Sequence, residues 1–479
     1  MKISILALSA LLAAPDLVHA QADTAASRRT AVENGLTPAV VIEGGAGPRR
    51  LADEMRALNV PGVAIAVVRG GKVDWAQGYG VTRIGGAPVD ADTLFQAGSV
   101  SKPVAAAVAM TLVQAGTLSL DAPINTELKS WSLPDNDFTR AAPVTLRRLL
   151  SHSAGTSVHG FAGYAAGAAI PTVPQVLDGA APANSKPVRV DQPVGASFRY
   201  SGGGYTIAQL AVVDTAKAPF PTVARRALLA PLGMTRSTYD QPLPAQTPNI
   251  ALPYDAAGHP IPGGPHTYPE MAAAGLWTSA SDLARFVIEM QRAPHGQGKV
   301  LSQKTAREML TPGLGEWGLG LQVTGEGKDL AFAHDGSNAG YKAAIIGHPE
   351  SGDGVVVLTN GDQGYQLAQE IVRGVAIAYG WSDQRPVVRR AMTLPLEAQR
   401  RFAGVFEIKD LGTFEIREAD GALVVELRKG QAFKLIPSSD HAFFITEQNI
   451  ALTFDDPDQG GVQADGQPLK FQRVATVAR

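Results

Sequence analysis

One stretch decides what fold and chemistry this chain is expected to have: Phe95-Gln96-Ala97-Gly98-Ser99-Val100-Ser101-Lys102, followed by small apolar residues from Val104 to Gln114. The apolar run predicts a buried helix that ends near Gly116, since glycine commonly terminates helices. Positions three residues apart share one helix face, so Ser99 and Lys102 should point into the same space. At a helix N-terminus, the dipole and the free N–H groups favour developing negative charge.

The Ser-x-x-Lys spacing is suited to nucleophilic catalysis. A serine hydroxyl is a poor nucleophile until a neighbouring group accepts its proton. The Lys102 amine can accept that proton if it is desolvated, or it can lower the pKa of a second base. The same spacing also arises by chance, with a surface serine and a surface lysine on an ordinary helix. The assignment therefore depends on what the rest of the chain supplies.

Two later segments supply further groups. Tyr200 opens Tyr200-Ser201-Gly202-Gly203-Gly204-Tyr205, which we interpret as a tight turn before a helix that starts near Tyr205. A tyrosine beside a lysine ammonium is expected to have a lowered pKa, so Tyr200 can act as a base and then as an acid. His334-Asp335-Gly336-Ser337 is expected on a strand that borders a cleft. A backbone N–H just after Gly336 can help to hold an oxyanion there.

These segments, in this order, resemble the penicillin-recognising serine hydrolases. That family includes class C β-lactamases, low-molecular-weight penicillin-binding proteins, D-aminopeptidases and family VIII carboxylesterases. The resemblance covers about residues 50–380 and implies an α/β (α+β) β-lactamase/transpeptidase-like fold, in which helices flank an antiparallel sheet. The end of the chain resembles the small, all-β, lipocalin-like domain that often follows such catalytic domains.

The resemblance also implies roles for individual residues. Ser99 is implied to be the acylated nucleophile, while Lys102 and Tyr200 share the proton transfers. Which of these two is the base is disputed within the family. The backbone N–H groups of Ser99 and Ser337 are implied to form the oxyanion hole.

The implied substrate-binding residues are His334, Gly336 and Gly202, and two of them depart from the family's pattern. Gly202 stands where the family usually has an asparagine that binds a substrate acyl amide. His334 replaces a lysine, and it gives less fixed charge against a substrate carboxylate near neutral pH, since its unperturbed pKa is about 6.5. Both departures point away from a dedicated β-lactamase, and neither hinders ester hydrolysis.

The composition excludes several other chemistries. The chain has 479 residues and Cys 0, which removes disulfides, thiolate nucleophiles and cysteine-ligated metals. Lys+Arg 42 against Asp+Glu 44 leaves a net charge of -2, without the basic excess that nucleic-acid binding requires. No His-Glu-x-x-His motif occurs, so we expect no metal and no cofactor. The expected partner is a small-molecule or peptide substrate.

The N-terminus has the features of a secretory signal peptide. Lys2 provides the positive charge, and the apolar run from Ile3 to Ala14 is too short to span a membrane comfortably. Val18-His19-Ala20 suits a cleavage site after Ala20. We therefore expect a periplasmic or secreted protein without a stable membrane anchor after cleavage. An uncleaved N-terminal anchor is the alternative.

The chain is too long for a single hydrophobic core. Val63 to Val68 is expected to be a buried strand that turns through Arg69-Gly70-Gly71-Lys72 into a partner strand from Val73 to Tyr79. Alternating apolar residues after Phe402 indicate an antiparallel β domain. The predicted division is a signal peptide 1–20, a flexible lead-in 21–48, a serine hydrolase domain 49–382, a linker 383–395 and the β domain 396–479.

Several other features are interpreted as structural. Gly313-Leu314-Gly315-Glu316-Trp317-Gly318 spells a dinucleotide-binding fingerprint but lacks a preceding strand. His152 is expected to be a hydrogen-bonded structural histidine rather than a base. Tyr205 is expected to pack in the core, while Trp277 and Tyr341 fit the cleft or the core equally well.

The sequence therefore predicts an exported serine hydrolase that forms an acyl-enzyme at Ser99 on an ester or a small amide or peptide. The alternative within enzymes is a DD-peptidase or β-lactamase acting on peptidoglycan peptides or penicillins. An alternative of another class is a catalytically inactive protein that keeps the fold in order to bind cell-wall fragments.

Overall fold

The computed structural model describes residues 23–409, 411–428, 431–464 and 468–475. The expected signal peptide lies outside these residues. Within them, no helix combines the length and the apolar character that crossing a bilayer requires. Helices and strands are mixed through the first part of the chain, and the end is built from strands.

The strands are β1 (Val40–Ile42), β2 (Gly62–Arg69), β3 (Lys72–Gly80), β4 (Phe95–Gln96), β5 (Trp277–Thr278), β6 (Gln322–Thr324), β7 (Ala331–Asn338), β8 (Tyr341–Gly347), β9 (Gly354–Thr359), β10 (Val387–Arg389), β11 (Gly404–Ile408), β12 (Gly412–Ala419), β13 (Ala422–Arg428), β14 (Gln431–Lys434), β15 (Ile436–Pro437), β16 (Ala442–Phe444), β17 (Ala451–Asp456), β18 (Gln459–Gln463) and β19 (Leu469–Ala475).

The α-helices are α1 (Ala25–Glu33), α2 (Leu51–Ala57), α3 (Ser101–Gln114), α4 (Ile124–Glu127), α5 (Asp137–Ala141), α6 (Leu146–Leu150), α7 (Val173–Asp178), α8 (Gly202–Ala216), α9 (Phe220–Ala224), α10 (Ala230–Leu232), α11 (Met271–Ala274), α12 (Ala280–Arg292), α13 (Gln303–Met309), α14 (Gly364–Tyr379) and α15 (Leu396–Gln399). Short 3-10 turns span Gly98–Val100, Ala293–His295, Leu314–Glu316, Gly327–Asp329 and Arg400–Phe402, and a π-helical turn spans Arg225–Leu229.

A six-stranded antiparallel sheet in the order β3-β2-β9-β8-β7-β6 is the centre of the first domain. The predicted hairpin is confirmed, since β2 and β3 pair across the turn that joins Arg69 to Lys72. Successive residues of β2 pack into different cores: Ala64 and Ala66 on one face, Val63 and Ile65 on the other. Because both faces are covered, the strand is apolar throughout rather than alternating.

Helices cover each face of this sheet. Helices α3, α8 and α12 belong to the larger core on one side. Helices α1, α2 and α14 belong to the smaller core on the other side. The lead-in 21–48 was expected to be flexible, and for its described part this is wrong: it contains α1, whose Val32 is fully buried in that smaller core with Leu36. Its many small and polar residues concealed this short apolar face.

The chain ends in a nine-stranded antiparallel sheet in the order β14-β13-β12-β11-β19-β18-β17-β16-β15. Six phenylalanines dominate its core: Phe402, Phe406, Phe414, Phe443, Phe454 and Phe471. The predicted all-β end of the chain is thereby confirmed. Strand β18 carries Gly460 and Gly461 in place of an apolar alternation, so the sequence pattern did not reveal it.

The segment between the two sheets pairs with a strand from the N-terminal part of the chain. Residues 383–395 were expected to be a linker, and they contain β10, which pairs in parallel with β1. The Val40 N–H donates to the Thr446 carbonyl at 2.9 Å, and the Met392 N–H donates to the Pro437 carbonyl at 2.8 Å. Strand β1 therefore contacts both this segment and the β domain.

Candidate active site

Ser99 lies in the 3-10 turn Gly98–Val100, which leads directly into α3. The turn needs glycine at position 98, where φ is +51° and a Cβ would collide with the backbone nitrogen of Ser337. Ser99 remains partly exposed, whereas Lys102, one helical turn later, is only 2% exposed. The predicted helix therefore begins two residues after Ser99, and the nucleophile lies in the turn that precedes the helix N-terminus.

The Lys102 amine lies against the Ser99 hydroxyl. Its Nζ is 2.9 Å from Ser99 Oγ and donates to the Ala273 carbonyl oxygen at 2.8 Å. Burial lowers the pKa of Lys102 to about 7, because the site desolvates the ammonium and offers no carboxylate to pair with it. A large fraction of Lys102 is therefore unprotonated at neutral pH and can accept the serine proton.

Tyr200 also lies beside the serine, just before α8. Its hydroxyl is hydrogen-bonded to the Ser99 side chain, and its ring centroid is 4.9 Å from Lys102 Nζ. Burial raises the pKa of Tyr200 well above its usual value. The expected lowering by Lys102 is therefore wrong, because desolvation of the phenolate outweighs the effect of an amine that is itself only partly charged. Tyr200 keeps its proton at neutral pH.

The half of β7 that β6 does not pair with faces the serine turn. Strand β6 pairs only with Ala331–Ala333, so among the described strands none pairs with that edge of β7 from His334 onward. A Cβ at Gly336 would collide with the Ala97 carbonyl oxygen, which shows how closely the two backbones approach. The sequence-predicted oxyanion donors, the N–H groups of Ser99 and Ser337, are thereby brought to one location.

His334 is buried beside this edge as a neutral imidazole. Its Nδ1 donates to the Asp335 carbonyl oxygen at 2.6 Å, which leaves Nε2 as a bare acceptor. That Nε2 is buried and has no hydrogen-bond partner among the described residues. Burial, reinforced by the positive charge of Lys102, lowers the pKa of His334 to about 3. The position therefore supplies no positive charge for a substrate carboxylate at neutral pH.

Gly202 is the first residue of α8 rather than part of a tight turn. Ser201 caps the helix by accepting from the Gly204 N–H at 3.0 Å, so the predicted start near Tyr205 is three residues too late. A Cβ at Gly202 would lie 3.1 Å from the edge of the Phe161 ring and 3.2 Å from the His159 carbonyl. An apolar ring therefore flanks the position where the related enzymes are expected to have an asparagine side chain.

The structure also adds groups to the site that the sequence did not indicate. The Ala273 carbonyl oxygen accepts from Lys102, and because it is a backbone group, no residue type in the sequence indicates it. Trp317 belongs to the segment with the discounted dinucleotide fingerprint, and its ring packs edge-on against His152 and His334 at 5.0 and 5.2 Å between centroids. In contrast, Trp277 and Tyr341 are buried in the larger core.

The site contains no obvious metal-binding arrangement. Among the described residues, no group of three or more His, Asp or Glu side chains is placed to share a metal ion. The polar groups around Ser99 are an amine, a phenol, imidazoles and backbone N–H groups, which suit a reaction driven by proton transfer and by oxyanion stabilisation.

The sequence of this chain matches a known family over most of its length. A sequence profile described as Beta-lactamase matches residues 48–379. The chain belongs to the beta-lactamase family. It is 29% identical over 328 residues to Penicillin-binding protein 4 of Amycolatopsis lactamdurans, covering 63% of this chain and 81% of that protein.

Two further comparisons of this beta-lactamase family member agree with that assignment. Over 251 residues it is 31% identical to a Beta-lactamase of Lysobacter lactamgenus, covering 50% of this chain and 58% of that protein. The chain therefore spans less than two thirds of this relative. The octameric penicillin-binding protein homologue from Pyrococcus abyssi has the same fold, with a TM-score of 0.58 at 21% identity over 88% of this chain and 98% of that chain. The protein is a serine hydrolase with a β-lactamase/transpeptidase-like fold.

Proposed function

We propose that this serine hydrolase cleaves esters of small carboxylic acids through an acyl-enzyme at Ser99, and that it does so after export from the cytoplasm. The observation that carries the proposal is the contact of 2.9 Å between Lys102 Nζ and Ser99 Oγ. It joins the nucleophile to an amine whose pKa is lowered to about 7. A base with a pKa near the working pH is the most effective proton acceptor.

In the first half of the reaction, Ser99 Oγ attacks the ester carbonyl carbon while its proton passes to neutral Lys102. The N–H groups of Ser99 and Ser337 stabilise the carbonyl oxygen as it becomes negative. The ester C–O bond then breaks, and the leaving alkoxide takes a proton from the Tyr200 hydroxyl, which Lys102 reprotonates. In the second half, water attacks the acyl carbon while neutral Lys102 accepts its proton. The bond between Ser99 Oγ and the acyl carbon then breaks, and Ser99 Oγ receives a proton from Tyr200, which Lys102 reprotonates.

The surroundings of the nucleophile favour esters over β-lactams and peptides. The Phe161 ring beside Gly202 offers no hydrogen bond to an acyl amide, whereas it contacts an apolar acyl chain without an unpaired polar group. The neutral His334 offers no ion pair to the carboxylate that β-lactams and peptide C-termini carry. The alternative substrates, D-amino-acid amides or peptides and penicillins, are therefore expected to be slower.

Substrate profiling of the protein purified without residues 1–20 tests this proposal. We expect turnover of nitrophenyl esters, stoichiometric labelling by an alkyl fluorophosphonate, and much slower turnover of a chromogenic cephalosporin and of D-amino-acid amides. Ser99→Ala should abolish both turnover and labelling. Faster turnover of the cephalosporin or of the amides would overturn the ester assignment, and labelling that survives Ser99→Ala would overturn the nucleophile.

Export has a separate test. The intact mass of the protein recovered from a bacterial host's periplasm or medium should correspond to a chain that starts at Gln21. Replacement of the residue before the cut, Ala20→Arg, should retain the longer form in the membrane fraction. Recovery of the full-length wild-type chain from the cytoplasm alone would contradict export.

A further inference from the structure

We infer that His152 is a positioning residue for Tyr200, an inference that rests on the proposed function because it assigns Tyr200 a proton-transfer role. His152 lies on the loop after α6, far from Tyr200 in sequence. In the structure it holds the chain on both sides of that tyrosine and covers one face of its ring. Three separate contacts support this inference.

Two of the contacts are backbone hydrogen bonds on either side of Tyr200. The Arg199 N–H donates to the His152 carbonyl oxygen at 2.8 Å. The Ser201 N–H donates to His152 Nδ1 at 3.0 Å. One residue therefore satisfies the N–H before and the N–H after the tyrosine, which fixes the backbone direction from which the Tyr200 side chain leaves.

The third contact is between the rings. The imidazole of His152 lies 4.2 Å from the Tyr200 ring, centroid to centroid, with 31° between the planes. Trp317 and Phe198, which stack on each other at 5.6 Å, also contact His152 edge-on. The Tyr200 ring thus rests against a residue that is itself enclosed by aromatic side chains.

The backbone of His152 has an energetically unfavourable conformation. Its φ is +56°, in the left-handed region that non-glycine residues rarely adopt. It is also only 1% exposed. Unusual backbone conformations persist where the surrounding structure imposes them, and they concentrate at functional sites.

The hydrogen bond from Ser201 also fixes the protonation state of the imidazole. Because Nδ1 accepts, the ring hydrogen must be on Nε2, and a second hydrogen on Nδ1 would break the bond. Burial, together with repulsion from Lys102 and His334 and from His159, lowers the pKa of His152 well below its ordinary value. His152 therefore stays neutral and keeps its hydrogen bond from the Ser201 N–H through the pH range in which Lys102 titrates.

The proposed role is geometric, so it should affect turnover more than substrate affinity. A misplacement of about 1 Å at a catalytic group can reduce a rate about 100-fold. Asparagine and glutamine form a matched pair of replacements at position 152. The short asparagine amide can place its oxygen where Nδ1 accepts from Ser201, and asparagine tolerates a positive φ. The longer glutamine cannot place an acceptor there without bending back.

The experiment measures kcat and KM on a nitrophenyl ester for His152→Asn and His152→Gln, each alone and combined with Tyr200→Phe. Fluorophosphonate titration counts the competent sites, so that kcat refers to folded enzyme. We expect His152→Gln to lower kcat about 10- to 100-fold with KM changed less than about threefold. His152→Asn should recover kcat to within about fivefold of the wild type.

The combined variants give the decisive result. If His152 acts through Tyr200, either substitution should lower kcat less than about twofold in the Tyr200→Phe background. An equal loss in both backgrounds, or equal losses for asparagine and glutamine, would overturn the inference. If His152→Gln fails to fold, His152→Phe takes its place, since it keeps a ring against Tyr200 without an acceptor. Retained turnover in Ser99→Ala would instead overturn the proposed function.

Discussion

Replacing Lys102 by methionine should stabilise the protein at low pH while abolishing its activity. Methionine has a similar length and no charge, so it fits the buried site without the cost of desolvating an ammonium. Burial lowers the Lys102 pKa from 10.5 to about 7. At about 1.4 kcal/mol per pH unit, the folded state therefore disfavours the charged amine by about 5 kcal/mol.

The sign follows from the protons that each state binds. Below pH 7, Lys102 is charged in both the folded and the unfolded state, so the wild type carries the full cost. Between about pH 7 and 10.5, the unfolded state binds a proton that the folded state has released, so wild-type stability rises with pH. The advantage of Lys102→Met should therefore shrink by about 3 kcal/mol between pH 6 and pH 9.

Urea unfolding at these two pH values measures that change. Methionine also leaves the Ala273 carbonyl without its donor, at a cost of about 1–3 kcal/mol, but this cost does not depend on pH. The pH dependence is therefore the diagnostic quantity. Lys304→Met, at an exposed position in α13, should show no such change. If the difference between Lys102→Met and the wild type varied by less than about 0.5 kcal/mol across this range, the reasoning would be refuted.

Three further outcomes follow from the site. First, kcat/KM on a nitrophenyl ester should fall about tenfold per pH unit below pH 7, as Lys102 becomes protonated; a flat profile from pH 5 to 8 would exclude it as the base. Second, Tyr200→Phe should lower kcat about 10²- to 10⁴-fold with an unchanged melting temperature, because the leaving group loses its acid; near-normal turnover would remove that role. Third, Gly336→Ala should push β7 away from Ala97 and lower kcat about 10²- to 10³-fold. Gly47→Ala, where a Cβ meets nothing within 4 Å, should not change kcat; equal rates for the two variants would argue against an oxyanion site there.

The sequence was most informative where chemistry and periodicity coincide. The spacing of Ser99 and Lys102 predicted their contact because a helical turn brings such residues together. The apolar strands of the six-stranded sheet were visible because both of their faces are buried. The start of α8 was not predicted, since three consecutive glycines normally disfavour a helix. The packing explains at least one of them: a Cβ at Gly203 would lie 2.7 Å from the Ser157 carbonyl oxygen and 2.8 Å from the Val188 side chain, so only glycine fits there.

The electrostatics of the site were not predictable from residue types alone. The pKa of Tyr200 was expected to fall beside a lysine, yet burial determines the direction for both groups. The placement of Trp317 and of the Ala273 carbonyl depends on contacts between distant segments. No local pattern encodes those contacts, because they arise only when the helical and sheet layers are packed together.

The parallel pairing of β1 with β10 has a consequence for the order in which the chain is completed. Strand β1 is among the first structured segments to be synthesised, but its partner becomes available only after nearly the whole catalytic domain has followed. Contacts between such distant positions form late, because a long loop must close first. Until then β1 is an unpaired edge, which is a site for association with other chains. Truncation before β10 would make that transient exposure permanent, so a catalytic domain expressed alone should end beyond Arg389 or lack β1.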